Sequence, residues 1–144
     1  NFTDSLTTLY FFMPCWSDGT NAWKWDVSGT RVYGSTSATG SFTSTNQTAL
    51  ASVSSMGIVV LYKENAGTTT LNTDLVAKIS ADGGTNYETV TLSPAGTFST
   101  GIKTAIANSV DMPNTGTAPK YKIEFANQAN GSKETQVHGV ALLY

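Results

Sequence analysis

Apolar residues recur in this chain with a period of two, in short runs separated by clusters of Gly, Asn, Asp and Ser. That period belongs to strands, and no stretch of ten or more residues carries the 3.6-residue repeat of an amphipathic helix. Residues 6–13 are apolar and aromatic and stop at Pro14, which predicts a first strand. The alternation Trp23-Lys24-Trp25-Asp26-Val27 predicts a second, half-buried one, and Val32 and Tyr33 extend a further arm. Residues 34–48 are mostly Gly, Ser and Thr around an apolar centre at Phe42, which reads as an irregular loop with one short edge strand.

Residues 56–64 give the clearest strand. Ile58, Val60 and Tyr62 share one face and Val59 and Leu61 make the other apolar too, so a central position covered on both sides is expected. Residues 74–80 and 87–92 flank Ala81-Asp82-Gly83-Gly84-Thr85-Asn86, a hairpin whose two glycines supply the positive φ of a tight turn. A strand over 103–112, with Ile102, Thr104 and Ile106 alternating, should end at Pro113 and the turn 114–116. Tyr121, Ile123 and Phe125 face inward between Lys120, Lys122 and Glu124, and residues 135–144 close the series with Val140, Leu142 and Tyr144 as one set. About eight strands joined by turn chemistry predict an all-β fold, an antiparallel β-sandwich of jelly-roll-like form, as a single domain over 1–144.

Composition agrees. Charged residues are 12% of the 144, about half the usual share of roughly 25%, and Thr and Ser fill the gap. The net charge is −2 and Arg31 is the lone arginine, so no basic footprint for nucleic acid or an anionic membrane is present. No apolar run reaches membrane-spanning length. A single cysteine, Cys15, excludes an internal disulfide and reads as a small buried hydrophobe.

Catalytic chemistry finds little footing. The single histidine, His138, has no Gly-x-Ser-x-Gly elbow to serve, and a strand histidine facing solvent or an interface is the expectation. One His and one Cys do not make a zinc site, and Asp4, Asp18, Asp26, Asp74, Asp82 and Asp111 are too dispersed for a calcium loop. No catalytic residue, metal or cofactor is therefore assigned. Trp16, Trp23 and Trp25, with Asp18 and Asn21 between them, have the composition of a sugar-stacking platform, although core or subunit packing uses the same residue types and is preferred.

Part of the chain resembles a known class of module. The segment Ser80-Ala81-Asp82-Gly83-Gly84-Thr85-Asn86-Tyr87 is similar to the S-x-D-G-G-x-x-aromatic hairpin of many phage virion proteins. Val90-Thr91-Leu92, Val110-Asp111, Tyr121-Lys122-Ile123, His138-Gly139-Val140 and Tyr144 follow in the same order as in those proteins. The likeness covers roughly residues 56–144 and points to the sandwich module of tail fibres and other surface proteins of tailed phages. It implies a structural virion component, in a fibre or as capsid decoration, on the virion surface or otherwise extracellular. It also implies assembly with itself, a trimer favoured, and with other virion proteins. The same hairpin resembles the Asp-box of sialidase-type propellers, a structural turn whose single copy implies no glycosidase.

Two other functions fit the sequence. One is a module binding cell-surface carbohydrate as a receptor. The other is an extracellular filament subunit joined by strand exchange, with residues 6–13 as donor. Adjacent apolar residues in a regular strand point to opposite faces. Leu9, Phe11 and Phe12 in the first strand, and Leu142, Leu143 and Tyr144 in the last, are therefore the candidate subunit-interface residues.

Overall fold

The computed structural model of the chain describes residues 39–144, which belong to one compact unit. The strands expected over 6–13 and 23–27, and the Trp16, Trp23, Trp25, Asp18, Asn21, Leu9, Phe11 and Phe12 candidates, lie outside the described residues.

Eight strands form this unit: β1 (Gly40–Thr43), β2 (Val53–Ala66), β3 (Leu75–Ser80), β4 (Glu88–Val90), β5 (Ser93–Ser99), β6 (Ile102–Gly116), β7 (Lys120–Phe125) and β8 (Glu134–Leu143). They build two four-stranded antiparallel sheets, β1-β7-β3-β4 and β5-β6-β2-β8, and no helix occurs among the described residues. Every connection except β3–β4 and β5–β6 passes from one sheet to the other. The described unit is an all-β sandwich.

The core lies between the sheets. β2 contributes Met56, Ile58, Val60 and Tyr62; β3 contributes Leu75, Ala77 and Ile79; β7 contributes Ile123; Val90 and Leu92 complete one side. β2 is central, between β6 and β8, but Val59 and Leu61 on its outer face are only partly buried, so the expected cover on both faces is incomplete. β1 is the short strand expected around Phe42, and it occupies a sheet edge, paired only with β7.

Two expectations change. The strand expected to stop at Pro113 runs to Gly116. Proline is tolerated there because β5 pairs only with residues 102–106, which leaves the later part of β6 without a strand neighbour on that side among the described residues. In addition, β5 has no counterpart in the sequence reading, because Pro94 and Gly96 disguise it as a turn.

Bulges decide which residues reach the core. Ala105 and Ala107 of β6 point inward, opposite Val60 and Ile58, so Ile102, Thr104 and Ile106 form the outer face. Ser109, with φ 51°, inserts an extra residue between the pairs Ile58–Ala107 and Met56–Val110, which brings Val110 and Met112 back to the inside. In β8, His138 is the extra residue between Tyr62–Val137 and Leu61–Gly139. Val137, Val140 and Leu142 thereby all pack on the core.

Candidate functional site

Three places in the described unit gather polar or apolar groups beyond what a strand needs. The first is the β3–β4 turn. Gly83 and Gly84 have φ of 77° and 91°, and a Cβ on Gly84 would sit 2.8 Å from the Tyr87 hydroxyl. The buried Ser80 hydroxyl donates to Asp82 Oδ1 at 2.7 Å and accepts the Gly84 N–H at 2.9 Å. Asp82 also accepts the Asn86 N–H at 3.0 Å and its side-chain amide at 2.7 Å. The Asn86 N–H first, then the Ser80 hydroxyl and the Asn86 amide, hold the Asp82 carboxyl down at about 2. The turn is tied in turn to the β6–β7 connection through Gly83 N–H to Ala118 O and Ala118 N–H to Ala81 O, both 3.0 Å. Gly116 is needed where that connection meets the hairpin, since any Cβ would collide with the Ala81 carbonyl. Both carboxylate oxygens of Asp82 are thus engaged in closing the turn, and this residue works as a structural knot.

The second place is the opposite end of the sandwich. The Asp74 carboxylate is 1% exposed and accepts from Lys133 Nζ at 2.8 Å, the Thr70 N–H at 2.8 Å and the Asn127 amide at 3.0 Å. Lys133 first, then Thr70 and Asn127, outweigh burial and hold this carboxyl far below the usual carboxylate range. Buried Gln128 accepts the Thr135 N–H at 2.8 Å and donates to Ala126 O at 2.9 Å. Asn72 exchanges two hydrogen bonds with the Leu92 backbone, at 2.7 and 2.9 Å. Glu64 accepts from Lys103 at 2.6 Å and from the Thr69 N–H at 3.0 Å, and the Lys103 bond above all lowers its pKa. The bonds of Asp74 to Lys133 and Asn127 clamp the loops before β3 and β8 to each other, while Asn72 ties the first of these loops to the β4–β5 connection and Glu64 ties β2 to β6. No local pattern signals this network, since bonded partners such as Asp74 and Lys133 lie 59 residues apart.

The third place is the outside of the sheet containing β2. Val59, Leu61 and Ile106 stand there partly exposed, beside exposed Ala141 and Leu143. Leu143 keeps 49% of its surface in water. Leu142, the residue before it, turns inward opposite Ile58 and packs on the core, so the two leucines do face opposite ways. Tyr144, 55% exposed, joins Val140, Leu142 and Tyr121 in a cleft of ≈ 440 Å³ between the β1 and β8 edges, rimmed by Ser44, Thr45 and Gln47. A second cleft, of ≈ 460 Å³, opens on the other side beside Val90, Ile106 and Val110, with Thr, Ser and Asn as its polar lining.

His138 is exposed at the β8 bulge and makes no side-chain hydrogen bond among the described residues. No group of three His, Cys, Asp or Glu side chains able to hold a metal occurs among the described residues. No helix there is long and apolar enough to cross a membrane. Compared with known proteins, the chain matches no family model, no curated protein and no solved structure.

Proposed function

We propose that this chain is a non-enzymatic structural protein of a virus particle or fibre, exposed on the virion surface or outside the cell, and that it works by assembling with copies of itself and with other virion proteins. The observation that carries the reading is the outer apolar face of Val59, Leu61, Ile106, Ala141 and Leu143 on the β5-β6-β2-β8 sheet. A sheet exposed on one side normally alternates apolar-in with polar-out. This one stays apolar on both faces through its central strand and its β8 edge, and contiguous exposed apolar surface marks sites of association. The hairpin resemblance to phage virion modules supplies the virion context. Immunogold labelling of particles purified from the source of the sequence tests that context: surface label supports it, and its absence from intact and disrupted particles refutes it. Light scattering on the purified chain tests the assembly, which a monomer at every accessible concentration would exclude.

A further inference from the structure

We infer that the β8 edge is a two-fold docking seam for β8 of a second copy, with Ala141 at the axis; this rests on the assembly reading above. The four sheet edges are unequal. β1 has four residues and β4 three, too short to template much pairing. β5 has seven, but carries Pro94, Gly96 at φ 101° and two register shifts. β8 has ten residues, and among the described residues no backbone group of 136–143 bonds to anything except β2. Native proteins blunt long edges with proline, charge or bulges. β8 has its bulge at His138 and its only charged residue, Glu134, at its start, which leaves residues 139–143 regular, uncharged and, among the described residues, unpaired on their outer edge.

A strand added here must be apolar on both faces. Its inner side would adjoin Val140, Leu142 and the cleft with Tyr121 and Tyr144, and its outer side would adjoin Ala141 and Leu143. β8 itself meets that demand. In an antiparallel pair, opposed side chains share a face. Since 140 and 142 point in while 139, 141 and 143 point out, only registers pairing odd with odd and even with even keep both faces matched. Centring on Ala141 sets Gly139 against the partner's Leu143, Val140 against the partner's Leu142, and Ala141 against the partner's Ala141. Each leucine then lies over a small residue or a valine, no like charges oppose, and the bulge stays outside the paired stretch. The contact is isologous and closes at two copies, the commonest symmetry of soluble oligomers.

The seam is tested on the full chain by sedimentation equilibrium of the wild type, Ala141→Lys, Ala141→Glu and their equimolar mixture. Ala141 is exposed, so either charge leaves the core untouched. The wild type should show the dimer as its smallest associated species. Each variant alone sets like charges opposite at the axis and should self-associate at least roughly tenfold more weakly. The mixture, which can set Lys opposite Glu, should recover a 1:1 dimer. Wild-type masses in all four samples, or a trimer as the smallest associated species, overturn the seam and leave assembly standing. A wild-type monomer at every concentration overturns both. Should a variant lose its fold, amide exchange of residues 139–143 in the wild type decides: it must slow as concentration rises, and exchange independent of concentration overturns the seam.

Discussion

Replacing Asp74 by Asn should cost about 2–4 kcal/mol at neutral pH, and the cost should shrink on acidification. The magnitude follows from the three donors that converge on this carboxylate, Lys133, the Thr70 N–H and the Asn127 amide. An Asn side chain presents an NH₂ where one carboxylate oxygen was, so one buried donor faces another and goes unsatisfied, at about 1–3 kcal/mol. The ion pair adds less, about 1 kcal/mol, because the Lys133 side chain is 32% exposed and water competes for it. The pH dependence has a definite sign. The folded carboxyl titrates below its ordinary 3.8. Between the folded and unfolded pKa values the unfolded chain therefore binds more protons, and stability rises with pH. The stabilisation is fully present above the unfolded value and is lost as pH falls through the folded one. Glu64, Asp82, Glu124 and Glu134 also titrate low and contribute to acid loss in both proteins. The difference between wild type and Asp74→Asn isolates residue 74. Urea unfolding at pH 7 and at about pH 3 measures it. A difference below about 1 kcal/mol at pH 7, or one that does not narrow at low pH, would refute the clamp.

Other substitutions probe the core, the turn and the last strand. Ile58→Ala and Leu75→Ala, both fully buried, should each lose about 2–5 kcal/mol through cavities, whereas Thr39→Ala should stay within about 0.5 kcal/mol, by urea unfolding. Ser80→Ala should cost about 1–3 kcal/mol by leaving the Gly84 N–H without its acceptor, and a variant as stable as wild type would remove the knot from the account. Leu142→Asp should unfold the domain, seen as loss of the β circular-dichroism signal, while Leu143→Asp should stay folded and sediment as a monomer; the reverse result would mean that the faces of β8 are misassigned. His138→Ala, at an exposed bulge, should change stability by less than about 0.5 kcal/mol.

The strand pattern of residues 53–144 was legible because its determinants are local. Period-two alternation marks β2, β3 and β7, and a Gly-Gly pair preceded by Ser and Asp marks the hairpin. What escaped the sequence is non-local or irregular. β5 is read through Pro94 and Gly96 as a turn, and only its pairing with β6 makes it a strand. The bulges at Ser109 and His138 reverse which face looks inward, and no side-chain pattern announces them. The small inward residues Ala105 and Ala107 gave weaker signals than outward Ile106, because hydrophobic alternation reports size as well as burial. The Asp74 clamp joins two loops through single polar residues, each unremarkable in its own segment. By contrast, the opposed directions of Leu142 and Leu143 follow from alternation alone, and the structure turns one inward and the other outward as that rule requires.

The most direct test of assembly is the mass of the full chain in solution by sedimentation equilibrium, across the widest accessible concentration range. Self-assembly requires a concentration-dependent rise from the 15.2 kDa of one chain to an integral multiple of it. A single species of 15.2 kDa at every concentration would contradict it.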